Sequence, residues 1–182
     1  MATLDSVNII PSLPPIFSGK WRGATGTTYS TASFAANQVY VTPYLICSPH
    51  TVLQIRVPVT TGVAGQSIRM GLYSADVNGY PDALIEQSGA ISVATSGEYS
   101  YTFASALALT GKLVFMAVNC TSTGVVFRLW IGPVNLLPRT AGNPPVAGYR
   151  FAHGFGSFPA NFPGSAIETT NGNQHMLELL VQ

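Results

Sequence analysis

The sequence predicts an all-β protein: an antiparallel β-sandwich of jelly-roll type preceded by an extended N-terminal arm. Three observations carry this expectation. Apolar residues recur at every second position in most segments, clusters of turn formers separate those segments, and no stretch keeps a helical period for a convincing length. The clearest stretch runs from Val52 to Asp82, where Leu53, Ile55, Val57 and Val59 alternate with polar neighbours and Ile68, Met70 and Leu72 repeat the pattern. A period of two places one face of each strand in a core. Read alone, the two runs form a hairpin closed by Thr60 to Gly65, and the second run stops in the turn-rich Asp76-Val77-Asn78-Gly79-Tyr80-Pro81-Asp82.

Taken in order, the chain divides into an arm with a polar lead-in (residues 1–35) and the sandwich (residues 36–182). The arm contains Asn8 to Phe17, which is apolar yet holds Pro11, Pro14 and Pro15, so it can neither form a helix nor sit inside a sheet. It reads as an extended segment of polyproline character. Ile9, Ile10, Leu13, Ile16 and Phe17 would each gain roughly 1.5–3 kcal/mol on full burial. With Trp21 they are the expected assembly contacts, packed on the arm's own domain or on a neighbouring subunit.

Gln38 to Ile46 follows as the first clear strand, with Val39, Val41 and Leu45 as the expected inward positions. Ala83 to Gln87, Ala90 to Ala94 and Glu98 to Ala104 read as further short strands, with Tyr99, Tyr101 and Phe103 on one face. Lys112 to Cys120 is apolar on both faces and reads as a central strand. Ser122-Thr123-Gly124 turns it into Val125 to Ile131, and the two read as a second hairpin. From Gly132 to Gly172 the alternation dissolves into Pro, Gly and aromatics, a length without strands that marks functional or interface loops. Met176 to Val181 restores it, with Leu177, Leu179 and Val181 on one side, as a closing strand beside an early one.

Composition narrows the function. Only 8% of the 182 residues are charged, against roughly 25% in an average soluble protein. Such a surface repels its neighbours weakly and favours subunits that end up packed against others. A net charge of +1 with scattered arginines offers no basic stripe for nucleic acid. Nothing approaches the roughly 20 apolar residues of a membrane span. Residues 1–15 lack the pattern of a secretory signal, so synthesis in a cytoplasm is expected. Cys47 and Cys120 read as small buried apolar side chains that can pair only if their strands are neighbours.

Catalytic chemistry has no visible carrier. The seven acids stand in no recognisable catalytic context and the three histidines show no metal spacing. No cofactor is expected. Asp76 to Asp82 lacks the acidic spacing of a calcium loop, and the sequon Asn119-Cys120-Thr121 falls at a strand end. The exception worth naming is the aromatic stretch with Tyr149, Phe151, Phe155, Phe158 and Phe162 beside Arg150 and His153. Those rings either cap the sandwich, form a subunit interface or offer a stacking surface to a glycan.

Ile68-Arg69-Met70-Gly71-Leu72-Tyr73, followed by a polar loop with Asn78-Gly79 and Tyr80-Pro81 and then Ala83-Leu84, resembles a recurrent pattern of bacteriophage virion structural proteins of the tail-fibre type. The resemblance continues through Leu107 to Val118 and the late Phe158-Pro159-Ala160-Asn161-Phe162-Pro163, and leaves out the N-terminal arm. It implies a homotrimeric, non-enzymatic β-sandwich located in the virion, in contact with other virion proteins and with a possible host-surface glycan. A fibre, tail-tip or baseplate position with a role in host attachment is the first expectation. A capsid decoration protein is the second, and a carbohydrate-binding module or a glycan-cleaving enzyme the third.

Overall fold

Alternation along the chain becomes fourteen strands. The computed structural model describes residues 20–23, 28–46, 49–109, 112–131, 148–169, 173–175 and 177–181. The strands are β1 (Lys20–Gly23), β2 (Thr28–Ser33), β3 (Gln38–Ile46), β4 (His50–Thr61), β5 (Ser67–Ala75), β6 (Pro81–Gln87) and β7 (Ile91–Ser92), then β8 (Gly97–Leu109), β9 (Lys112–Cys120), β10 (Val126–Ile131), β11 (Gly148–Ala152), β12 (Ile167–Thr169), β13 (Asn173–His175) and β14 (Glu178–Val181). All pair antiparallel, in two seven-stranded sheets. The front sheet runs β1-β14-β4-β10-β13, with β8 on the other edge of β4 and β2 on β10. The back sheet runs β12-β11-β3-β9-β5-β6, with β7 beside β6 on the same edge of β5.

The sheets face each other across one core. The front sheet contributes Val52, Ile55, Val57, Val59, Phe127, Leu129, Leu177 and Leu179; the back sheet contributes Ile46, Ile68, Met70, Leu72, Val114, Met116, Val118 and Cys120. Phe34 closes one side, its ring stacked on Tyr40 at 4.5 Å and on Phe127 at 4.1 Å. The Cys120 thiol is free and fully buried, and burial pushes its pKa up, so it is held as an unreactive thiol. Cys47 lies outside the described residues.

Two expected hairpins are inter-sheet crossovers. β4 belongs to the front sheet and β5 to the back, and β9 and β10 are divided the same way. Alternation tells that a strand has a buried face, and a partner opposite satisfies that face as well as a partner alongside. The crossing at residues 62–66 is clamped: Val63 N donates to Val93 O and Val93 N to Gln66 O. A Cβ on Gly62 would meet the Thr95 backbone at 2.2 Å, so only glycine permits that approach.

Strand parity also departs from the simple pattern. Leu53 is half-buried while Val52 enters the core, because the register of β4 slips between Val52 and Gln54 against both β8 and β14. Val39 and Val41 are buried on the outer face of the back sheet, whereas Leu45 is 42% exposed. The sandwich starts upstream of residue 36, since β1 pairs with β14 and β2 with β10. The stretch from Gly132 to Gly172 contains β11 and β12. Its composition hid them.

Both mid-strand prolines fall where one edge is unpaired. Pro58 sits between the β14 partners, which end at Arg56, and the β10 partner at Val59; Pro43 lies beyond the end of β11. On the outer face of the front sheet Arg56 ties three strands, donating to Glu98 on β8 and to Glu178 on β14.

The turn from β5 to β6 is built by one carboxylate. Asp76 Oδ1 accepts from the N–H groups of Asn78 and Tyr80, both at 2.8 Å, and Gly79 supplies the left-handed residue at φ 84°. These bonds, the Tyr80 N–H foremost, hold the Asp76 carboxyl below the usual carboxylate range. A depressed pKa means a contribution that is complete above the unfolded value and disappears as pH falls through the folded one. Asp76→Asn is therefore expected to lower the thermal midpoint at neutral pH and to converge with the parent protein as pH falls through the depressed folded value, as differential scanning calorimetry across pH will show.

Candidate contact surface

The back sheet has a second, smaller core on its outer face. Tyr73 and Phe115 project outward from β5 and β9, Val39 and Val41 from β3, and Tyr149 and Phe151 from β11, which pairs with β3. Past β11 the chain folds back over this surface and delivers Phe158 and Phe162. Phe158 N donates to Gln87 Oε1 (2.7 Å), Leu84 N to Ala160 O (2.8 Å) and Phe162 N to Asp82 O (2.7 Å), so residues 158–162 are tied to β6.

Phe162 is the hub of the layer. Its ring makes edge-to-face contacts with Phe151 at 5.3 Å, Tyr73 at 5.5 Å and Tyr149 at 5.8 Å. The Tyr73 hydroxyl donates to Pro159 O at 3.0 Å, and burial pushes its ionisation well above the ordinary tyrosine range. Tyr73 therefore acts as a neutral hydrogen-bond donor that pins the returning chain.

The loop between β11 and Phe158 is braced at several points. His153 N donates to Asn37 O, Phe155 N to Asn37 Oδ1, and His153 Nε2–H to Ser157 O at 2.8 Å. Asn119 Nδ2 donates to His153 O from a fully buried position, which leaves no room for a glycan at that sequon. Arg69 lies under the loop with its guanidinium 5.8 Å from the Phe155 ring and donates to Ser88 O.

The aromatic stretch is thus divided. Tyr149, Phe151 and Phe158 are buried in the outer core, Phe155, Phe162 and His153 are half-buried at its rim, and Arg150 is exposed. Ile9, Ile10, Leu13, Ile16 and Phe17 lie outside the described residues; Trp21 is in β1, paired with Leu180. Among the described residues no three of His, Cys, Asp and Glu gather where they could hold a metal ion, and no helix is long and apolar enough to cross a membrane.

One end of the sandwich has a character that periodicity did not reveal. Pairing aligns Leu45 with Leu113, Val114 with Ser74 and Ala75 with Pro81 along one end of the back sheet. β4 begins at His50, four residues after β3 ends, and β8 ends at Leu109, three residues before β9 begins, so these front-sheet residues lie at that end, and Val181 and Lys20 follow by pairing. Among the described residues the large exposed hydrophobics are Leu45 at 42%, Val77 at 98% and Tyr80 at 43%. All three lie here. Beside them Tyr80, Pro81, Tyr149, Phe162, Pro163 and Ala166 line a cleft of about 300 Å³.

Gly71 is the feature of this layer that strand pattern concealed. A Cβ there would lie 2.7 Å from the Phe158 ring and 3.2 Å from Glu86 O. A glycine inside an otherwise strong strand, Ile68-Arg69-Met70-Gly71-Leu72-Tyr73, is the signal that something packs closely over it. Gly71→Ala is expected to destabilise the fold by about 1–3 kcal/mol, and Phe158→Leu in the same chain to recover part of the loss. Urea unfolding of the two single variants and the double variant measures this coupling.

No protein-family model matches the chain, and no curated protein matches it in sequence. Among solved structures, a chain in the crystal structure of the T13 IBDV viral particle is similar with a TM-score of 0.35 and 10% identity, over 98% of this chain and 44% of that one. This chain accordingly spans less than half the length of that neighbour.

Proposed function

We propose that this protein is a non-enzymatic structural subunit on the surface of a tailed-phage virion, a homotrimer in a fibre, tail-tip or baseplate position with a role in host attachment. The observation that carries this reading is the apolar end: Leu45, Val77 and Tyr80 stand exposed together on a chain with 8% charged residues. Such an end is stable in water only weakly and gains free energy when another protein covers it. The braced loops and the double-covered back sheet supply the rigidity that a particle component needs.

The same apolar end favours a second reading, capsid decoration, in which it docks on capsid subunits. Purified protein distinguishes the two. A tail or fibre subunit is expected to label the tail by immunogold microscopy and to bind host cells, whereas a decoration protein saturates capsids that lack it and ignores cells. Incubation with host-surface glycans is expected to release no fragments. Turnover of such a glycan would overturn both readings.

A further inference from the structure

We propose that the cleft between Tyr80 and Phe162 is the seat for residues 11–15 of a neighbouring copy of this chain, which deepens the assembly reading above and rests on it. The cleft walls are aromatic rings, prolines and small residues, with no charged side chain among them. A surface of that kind accepts a polyproline II segment, because pyrrolidine rings pack on aromatic faces and a stiff, preformed helix loses little entropy on docking. This chain contains one: Pro11-Ser12-Leu13-Pro14-Pro15, with proline at both ends of a four-residue P-x-x-P spacing and an apolar residue between. At about 300 Å³ the cleft is at the small end of ligand sites, which run from roughly 300 to 1,000 Å³. It suits a short segment and excludes a folded partner.

The course of the chain supplies the second argument. β1 begins at Lys20, which pairs with Val181, itself paired with Val52, at the end of the sandwich where Leu45, Val77 and Tyr80 are exposed. The described chain therefore begins, at Lys20, at the apolar end of the domain. Prolines hold a segment extended, at about 3.1 Å per residue. In the proposed trimer an arm of this composition is placed to reach the cleft of the next copy, so that arms pass cyclically from subunit to subunit. Exchange of arms then covers the exposed apolar residues of each copy.

Sedimentation of the full-length protein tests this. Tyr80→Ser removes a rim ring that is 43% exposed and leaves both cores intact; Leu13→Ser with Pro14→Ser alters the arm alone. Each variant, with an unchanged circular dichroism spectrum, is expected to associate at least about tenfold more weakly than the parent chain. An equimolar mixture of the two pairs an intact arm with an intact cleft and is expected to recover part of that loss. A synthetic peptide of residues 8–18 in excess is expected to disperse the parent assembly. Association unchanged in both variants overturns the seat and leaves the assembly standing. Loss in both without recovery on mixing means that each arm lies on its own domain and overturns the exchange. A soluble oligosaccharide that perturbs Tyr80 while the peptide does not makes the cleft a sugar site and overturns it too. A parent chain that sediments as a monomer removes the seat together with the assembly.

Discussion

The constraint on which the rest of the structure depends is the double burial of β9. Val114, Met116, Val118 and Cys120 face the front sheet, while Phe115, Ala117 and Asn119 face the opposite way, and every one of them is buried. Each large apolar side chain among them contributes roughly 1.5–3 kcal/mol only if the cover on its own face is in place, so the strand as a whole needs both. The front sheet is one cover. The other is the segment from β11 to Ala166, which must cross the outer face of the back sheet and stay there. Its fixings follow from that requirement: the Tyr73 hydroxyl on Pro159 O, the Gln87 amide under Phe158, the Asp82 carbonyl under Phe162 and the glycine at residue 71 that lets Phe158 down onto the sheet.

The same constraint explains which parts of the fold were legible in the sequence. Strands β3, β5 and β14 follow directly from alternation and β9 from a strand-length apolar run, because both patterns are local properties of one strand and its buried faces. Partnership is not local. The runs around Ile55 and Met70 bury their apolar faces against each other across the core, and nothing in either run distinguishes a neighbour beside it from one opposite. Parity suffered for the same reason. Val39 and Val41 are apolar because an outer core exists, and the rings that cover it, Tyr149, Phe151 and Phe158, lie more than a hundred positions later. Likewise the slip between Val52 and Gln54 depends on β8 and β14 together.

The candidate site was half legible. Aromatic density marked residues 149–162, and the structure gathers most of those rings into one layer with Phe162 at its centre. What sequence reading could not weigh is that a ring needed to cover β9 is no longer available to a ligand. Tyr80 escaped notice because it sits in a turn whose composition already had an explanation, the Asp76 carboxylate accepting two backbone N–H groups. β11 and β12 escaped because five and three residues are too short to establish a period among the surrounding prolines and glycines, so their membership in the sheet comes from pairing with β3 and with each other.

Where a partner can attach is decided by what the protein has already closed. Among the described residues β8 is the longest strand, thirteen residues with Glu98 as its sole charge, and it pairs only with β4. A long, uncharged edge ordinarily invites another strand. Here its register breaks between Gln54 and Val52, so that Phe103 to Ala106 leave the ladder, and Glu86 of β6 reaches across to accept from Ala104 N and the Tyr101 hydroxyl. Burial and that carboxylate together raise the pKa of Tyr101, which stays a donor. The middle of the edge is therefore taken, and continuous strand addition is blocked by a bulge and an internal carboxylate. At the end of the sandwich Leu45, Val77 and Tyr80 remain exposed. The proposed association is therefore one made through side chains at that end and not through backbone hydrogen bonds shared along β8.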